Sequence, residues 1–173
     1  MPERQSMISK IDAGTSYALR IAPALAESIR EAAGFDLTGG INTAITAGER
    51  RAARLGPDEW LLMAPADDDD VLADAIGRAL EGHHHALVDV SHRNVSIAVS
   101  GQRASIVLNA GVALDLDDAV FPAGSATRTV LGKAEIVLVR PDADRIYHVI
   151  CSRSFAPYVQ GFLEEASRDV NVG

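Results

Sequence analysis

The chain has 173 residues, of which 47% are hydrophobic, and a formal net charge of -8. That length and apolar content support one domain or a pair of fused half-domains with a real core, which excludes general disorder. The acidic balance, with no basic stripe anywhere in the sequence, excludes a nucleic-acid or anionic-membrane surface, because both demand concentrated Lys and Arg.

Residues 1–14 are polar and mixed in charge, end in Asp12-Ala13-Gly14, and read as a flexible N-terminal arm. They offer no hydrophobic signal segment, and no later apolar run nears the ~20 residues of a membrane span, so a cytoplasmic location is the expectation. Tyr17, Leu19 and Ile21 alternate as a strand. Pro23 suits a first helical position, Leu25, Ile29 and Ala32 or Ala33 recur at helical spacing, and Gly34 suits the helix C′ position. A Gly39-Gly40 turn and a loosely patterned stretch come next. Arg51–Leu55 and Glu59–Ala64 form a hairpin signal around Gly56-Pro57-Asp58, since Pro pre-sets φ and Asp favours the turn. Trp60 on that hairpin is a core candidate.

Asp67-Asp68-Asp69-Asp70 precedes Val71, Leu72, Ala75, Ile76, Ala79 and Leu80, which share a helical stripe. Carboxylates at a helix start meet unpaired backbone N–H groups and the positive dipole end, so the run reads as a cap. The distributed ligands, glycine and distant Glu of a calcium loop are absent. Leu87–Val90 and Val95–Val99 read as strands, and Ala104, Val107 and Leu108 as a short helix closed by Gly111. After an irregular stretch over Asp115–Gly124, strands are expected at Thr127–Leu131, Glu135–Arg140 and Ile146–Ile150. Ser154 is read as the cap of a last helix whose Phe155, Tyr158, Val159, Phe162 and Leu163 share one face, with Pro157 tolerated in the first turn.

The order strand, helix, strand, hairpin partner, helix occurs twice. The expected fold is therefore α+β, with two split β-α-β (ferredoxin-like) half-domains sharing a mostly antiparallel sheet. The pseudo-repeats fall at about 15–82 and 83–168 of a single domain over 15–168, with a tail at 169–173.

Candidate chemistry is sparse. Asp89, Ser91 and His92 contain the residue types of a hydrolase triad, but strand alternation turns His92 away from the other two, and no Gly-x-Ser-x-Gly elbow surrounds Ser91. His83, His84 and His85 lack a visible third ligand, so a solvated turn is the plainer account; an enzyme using them with zinc is the remote alternative. His148 reads as a sheet or core histidine. The lone Cys151 excludes an intramolecular disulfide or a thiolate metal site of its own and reads as a small buried hydrophobe. Gly39-Gly40 is neither a P-loop nor a Gly-x-Gly-x-x-Gly turn, so no nucleotide is implied. No catalytic, cofactor-binding or metal-ligating residue is assigned. Arg153, Phe155 and Tyr158, with Arg93, are the candidate subunit interface, because exposed Arg and aromatics dominate interfaces. The alternative of equal standing puts Phe155 and Tyr158 in the core and pairs Arg153 with a local acid.

Several segments carry a resemblance. Leu55-Gly56-Pro57-Asp58-Glu59-Trp60-Leu61-Leu62, Val88-Asp89-Val90-Ser91-His92-Arg93 and Ser100-Gly101-Gln102-Arg103-Ala104 come first. Leu114-Asp115-Leu116, Phe121-Pro122-x-Gly124, Thr129-x-Leu131 and Arg153-Ser154-Phe155-Ala156-x-Tyr158 follow. Together, from about Leu55 to Ala166, they resemble the gamma subunit of heterotetrameric sarcosine oxidase. The resemblance implies a fold related to the folate-binding part of glycine-cleavage aminomethyltransferases, and alpha, beta and delta subunits as partners. It also implies FAD, FMN, NAD and tetrahydrofolate on partner subunits and zinc on the delta subunit, with no catalytic residue carried over here. The alternative is a stand-alone folate-binding aminomethyltransferase-like protein. One such group carries Lys-Gly-Cys-Tyr-x-Gly-Gln, which Val149-Ile150-Cys151-Ser152-Arg153 does not match.

Overall fold

The computed structural model of the protein describes residues 7–66 and 69–172, with the backbone alone at 69, 70, 171 and 172. In chain order the elements begin with β1 (Met7–Ile11), β2 (Thr15–Ile21), α1 (Pro23–Ile29), β3 (Glu31–Ala32), β4 (Phe35–Asp36), β5 (Thr43–Ala47) and β6 (Arg50–Arg54). They continue with β7 (Glu59–Ala64), α2 (Asp69–Ala79), β8 (His85–Asp89), β9 (Asn94–Ser100) and α3 (Ala104–Asn109). The chain ends with β10 (Ser125–Leu131), β11 (Ala134–Arg140), β12 (Ile146–Ser152), a 3-10 turn (Arg153–Phe155) and α4 (Ala156–Val172). It divides into two compact units, one of Asp12–His92 and one formed by residues up to Ile11 with Arg93 onward.

In the Asp12–His92 unit the strand order is β5-β6-β7-β2-β8, antiparallel at each pairing. Helix α1 follows β2 and α2 follows the β6–β7 hairpin, so β8-β2-β7-β6 is a split β-α-β motif with β5 added outside β6. Tyr17, Leu19 and Ile21 alternate inward from β2 and join Trp60 and Leu62 of β7, Ala26 of α1, and Leu72, Ile76 and Leu80 in and just past α2 in one core. The second unit repeats the plan: strand order β1-β9-β12-β11-β10, α3 after β9 and α4 after β12. Its core gathers Ile97, Val99, Leu108, Leu138, Tyr147, Val149, Val159 and Leu163. The α+β class, the antiparallel pairing and the repeated order all match the sequence expectation.

Several local expectations are corrected. The stretch read as an arm contains β1, which pairs with β9 from Met7↔Ser100 to Ile11↔Ser96. Beside β9 it fills the place that β8 fills beside β2. Strand β8 pairs with β2 and belongs with the first unit, so the change of unit falls after His92 rather than after residue 82. Helix α1 stops at Ile29, where Arg30 turns left-handed (φ 58) and its N–H donates to the Ala26 carbonyl. Ala33 (φ 49) and Gly34 (φ 80) are then the two positive-φ residues of the β3–β4 turn, not a helix cap. The loosely patterned stretch holds β5. On α2, Leu72 and Ile76 are buried and Val71 is 69% exposed, so the apolar stripe is narrower than its sequence suggests. Of the acidic run, Asp67 and Asp68 lie outside the described residues, and the helix begins at Asp69. Ser154 sits inside the 3-10 turn, 3.2 Å from the Ser152 hydroxyl, and caps nothing. Residues 169–172, read as tail, continue α4.

Candidate functional site

Two of the four candidate interface residues, Arg93 and Arg153, meet where β9 begins and β12 ends. Ser152 pairs with Asn94 across the ladder, and the Arg153 N–H donates to the Arg93 carbonyl at 2.8 Å, which fixes the two arginines side by side. Both side chains are exposed, and the Arg93 Nε lies 3.5 Å from Asn94 Oδ1. The 3-10 turn then places Phe155 outward at 45% exposure, while Ala156, Val159 and Leu163 take the buried face of α4. The sequence had put Phe155 and Tyr158 on that face, but the turn rotates the helix start so that Ala156 leads the inward stripe.

Tyr158 serves its own unit as well as the surface. Its hydroxyl accepts a bond from the Lys133 N–H at 3.2 Å, and its ring lies 6.3 Å from that of Phe162. Gly132, at φ +57 in the β10–β11 turn, leaves room for that hydroxyl where a Cβ would collide with it. The Tyr158 ring is still 38% exposed. Exposed cations and exposed aromatic rings are the side-chain types that hold carboxylates and apolar groups of a partner surface.

The other sequence candidates are placed apart from this patch. Ser91 Oγ accepts the Ser16 N–H at 2.9 Å and lies 3.3 Å from the Ser16 carbonyl, so its hydroxyl fastens the start of β2. The Ser91 N–H donates to Asp89 Oδ1 at 2.8 Å, and the bonds from the Ser91 side chain and amide hold the Asp89 carboxyl below the usual carboxylate range. His92 is exposed. These contacts close a turn rather than activate a serine. His83, His84 and His85 are exposed, with His85 Nδ1 2.8 Å from the His83 carbonyl. Among the described residues no group of three or more His, Cys, Asp or Glu is placed to hold a metal. His148 is half-buried on β12, between Ala98 of β9 and Val139 of β11. Cys151 is buried, and burial pushes its thiol pKa up, away from thiolate reactivity.

Sequence reasoning missed a buried cation. Arg140 at the end of β11 is 4% exposed, and its Nη1 donates to Asp118 Oδ1 at 2.8 Å and to the Phe121 carbonyl at 2.9 Å. Its guanidinium lies 5.7 Å from the centroid of Tyr147, which stacks with Phe121. Arg145 reaches the other Asp118 oxygen at 3.5 Å and the Gln102 carbonyl at 3.2 Å. The irregular 115–124 segment, part of the motif set, is thus clamped from beneath. The one available signal was an Arg directly after the apolar run Ile136–Val139.

Comparison with known structures defines the class first. The chain superposes with a TM-score of 0.70 on a glycine cleavage system aminomethyltransferase T from Bartonella henselae, at 14% identity over 93% of this chain and 46% of that one. With heterotetrameric sarcosine oxidase from Corynebacterium sp. U-96, in complex with pyrrole 2-carboxylate, the TM-score is 0.85 at 21% identity, over 99% of this chain and 88% of that one. The protein therefore has the α+β fold shared by these two structures. The profile of the sarcosine oxidase, gamma subunit family matches residues 18–169, and the chain belongs to that family. The motif-based resemblance between Leu55 and Ala166 is borne out and extends upstream. A search of curated proteins finds no match. Among the described residues no helix is long and apolar enough to cross a membrane.

Proposed function

We propose that this chain works as the gamma subunit of a heterotetrameric sarcosine oxidase, contributing assembly and support rather than a catalytic site of its own. The observation that carries the reading is the family match over residues 18–169, which spans both units. Its partners are the alpha, beta and delta subunits, in a cytoplasmic complex that demethylates sarcosine to glycine with release of peroxide and transfer of a one-carbon unit to tetrahydrofolate. FAD, FMN, NAD and tetrahydrofolate belong to the partner subunits, and zinc to the delta subunit. Docking uses Arg93, Arg153, Phe155 and Tyr158, a reading supported by the exposed rings of the two aromatics and the adjacent cations.

Co-expression with alpha, beta and delta subunits is the test. The chain is expected to co-purify in one complex, and alone to bind no flavin and produce no sarcosine-dependent peroxide; activity of the purified single chain would overturn the reading. Arg153→Ala is expected to cut the yield of complex about tenfold while leaving the thermal unfolding of the isolated chain unchanged, since an interface Arg contributes on the order of 1–2 kcal/mol. Unchanged yield would remove Arg153 from the interface.

The likeness to an aminomethyltransferase keeps a second reading in view, a stand-alone folate-binding protein. Calorimetric titration of the isolated chain with tetrahydrofolate separates the two. No saturable heat is expected, and stoichiometric binding would favour the alternative.

A further inference from the structure

We propose that the outer edge of β8 is a self-complementary docking strand, through which two copies of this chain pair antiparallel about Leu87. Among the described residues β8 pairs with β2 on one side and with no strand on the other. The Val90 N–H donates to the Ser16 carbonyl at 2.9 Å, and this bond sets the phase of the ladder. In an antiparallel pair the bonding direction alternates, so Ala86 and Val88 point their N–H and C=O groups at β2, while His85, Leu87 and Asp89 point theirs outward. Strand β2 agrees with this phase. The Ile21 N–H donates to the Asp58 carbonyl at 3.1 Å, so Ile21, Leu19 and Tyr17, the partners of the outward residues, bond towards β7.

Exposed edges are ordinarily blunted by Lys, Pro or a bulge. The strand His85-Ala86-Leu87-Val88-Asp89 has no Lys, Pro or bulge and a single carboxylate, Asp89, and only Leu87 is half-buried, with Val88 56% exposed. The sequence of the edge selects a second copy as its occupant. A two-fold axis at Leu87 sets Leu87 against Leu87, His85 against Asp89 and Ala86 against Val88. All three outward residues then fall in hydrogen-bonded pairs, an imidazole meets a carboxylate at each end, and the small apolar side chains meet on the exposed face. A slip of one residue loses the bonding phase and the charge match together. A five-residue ladder lies below the ~1,200 Å² of a stable interface, so association is weak. The pairing is a property of this chain alone and does not rest on the subunit reading.

Sedimentation velocity of the full chain from about 10 µM to 1 mM tests it, with two variants of equal exposure. Ala86→Lys with Val88→Lys sets like charges opposite one another twice and is expected to weaken pairing at least about tenfold. Ala86→Lys with Val88→Glu sets opposite charges at the same places and is expected to retain or strengthen it. Amide exchange at Leu87 and Asp89 is expected to slow as the wild-type concentration rises, independently of any variant. A wild type that stays monomeric throughout, two variants that behave alike, or exchange at these amides that ignores concentration would each overturn the proposal.

Discussion

Trp60→Ala is expected to lower the stability of the Asp12–His92 unit by about 3–5 kcal/mol, the range for truncating a large buried aromatic. Trp60 is 1% exposed on β7, opposite Leu19 of β2 and Arg54 of β6. The Arg54 guanidinium lies 4.7 Å from the ring centroid and donates to the carbonyls of Pro57 at 2.8 Å, Gly39 at 3.2 Å and Gly56 at 3.3 Å. The indole therefore fills the core and also backs the cation that fastens two loops. Small domains have only about 5–15 kcal/mol of net stability, so the loss removes a large share of it. Trp60→Phe, which keeps a ring against Arg54, is expected to cost roughly half as much. Trp60 is the single tryptophan, so urea unfolding of both variants is followed by far-UV circular dichroism. Equal midpoints for the Ala and Phe variants would contradict this account.

Arg140→Ala is expected to destabilise the second unit by about 3 kcal/mol, the range for uncovering a buried acceptor and opening a void. It removes the bonds to Asp118 and to the Phe121 carbonyl and leaves a void beside the Tyr147 ring. Asp118, with its side chain 58% exposed, regains water, so the cost arises from the uncovered carbonyl and the lost packing rather than from a stranded charge. Arg140→Lys keeps the charge but cannot hold the same two acceptors while lying flat on a ring, and is expected to recover less than half of the loss. Hydrogen exchange should quicken across residues 115–124 in both variants. A midpoint change within about 0.5 kcal/mol of wild type, the ordinary surface range, would show that the clamp does not hold the segment.

Much of this architecture was legible because its signals are local. Alternation in Tyr17–Ile21, Val95–Val99 and Glu135–Arg140 follows from the two-residue period of a strand, and Gly56-Pro57-Asp58 marks its turn by φ preference alone. The Ala33-Gly34 turn was misread because a glycine after a helical pattern suits either a helix end or a two-residue hairpin, and only the left-handed Arg30 decides between them. The candidate interface residues were legible as types. Their exposure was not, since Phe155 and Tyr158 fit the helical stripe of Val159 and Leu163 until the 3-10 turn shifts the register.

By itself the sequence determined the α+β class, the repeated order of elements and, through its motifs, the family. Those properties depend on period, turn chemistry and residue type, each readable within a dozen neighbours. Only the tertiary structure decided that β1 completes the second unit, that β8 closes the first and leaves an open edge, that Ser91 fastens β2 instead of serving a triad, and that Arg140 is buried beneath the 115–124 segment. Each of these joins residues far apart in the chain. Strand pairing and the burial of a charge are settled by what lies across the ladder or above the ring, which no local pattern encodes.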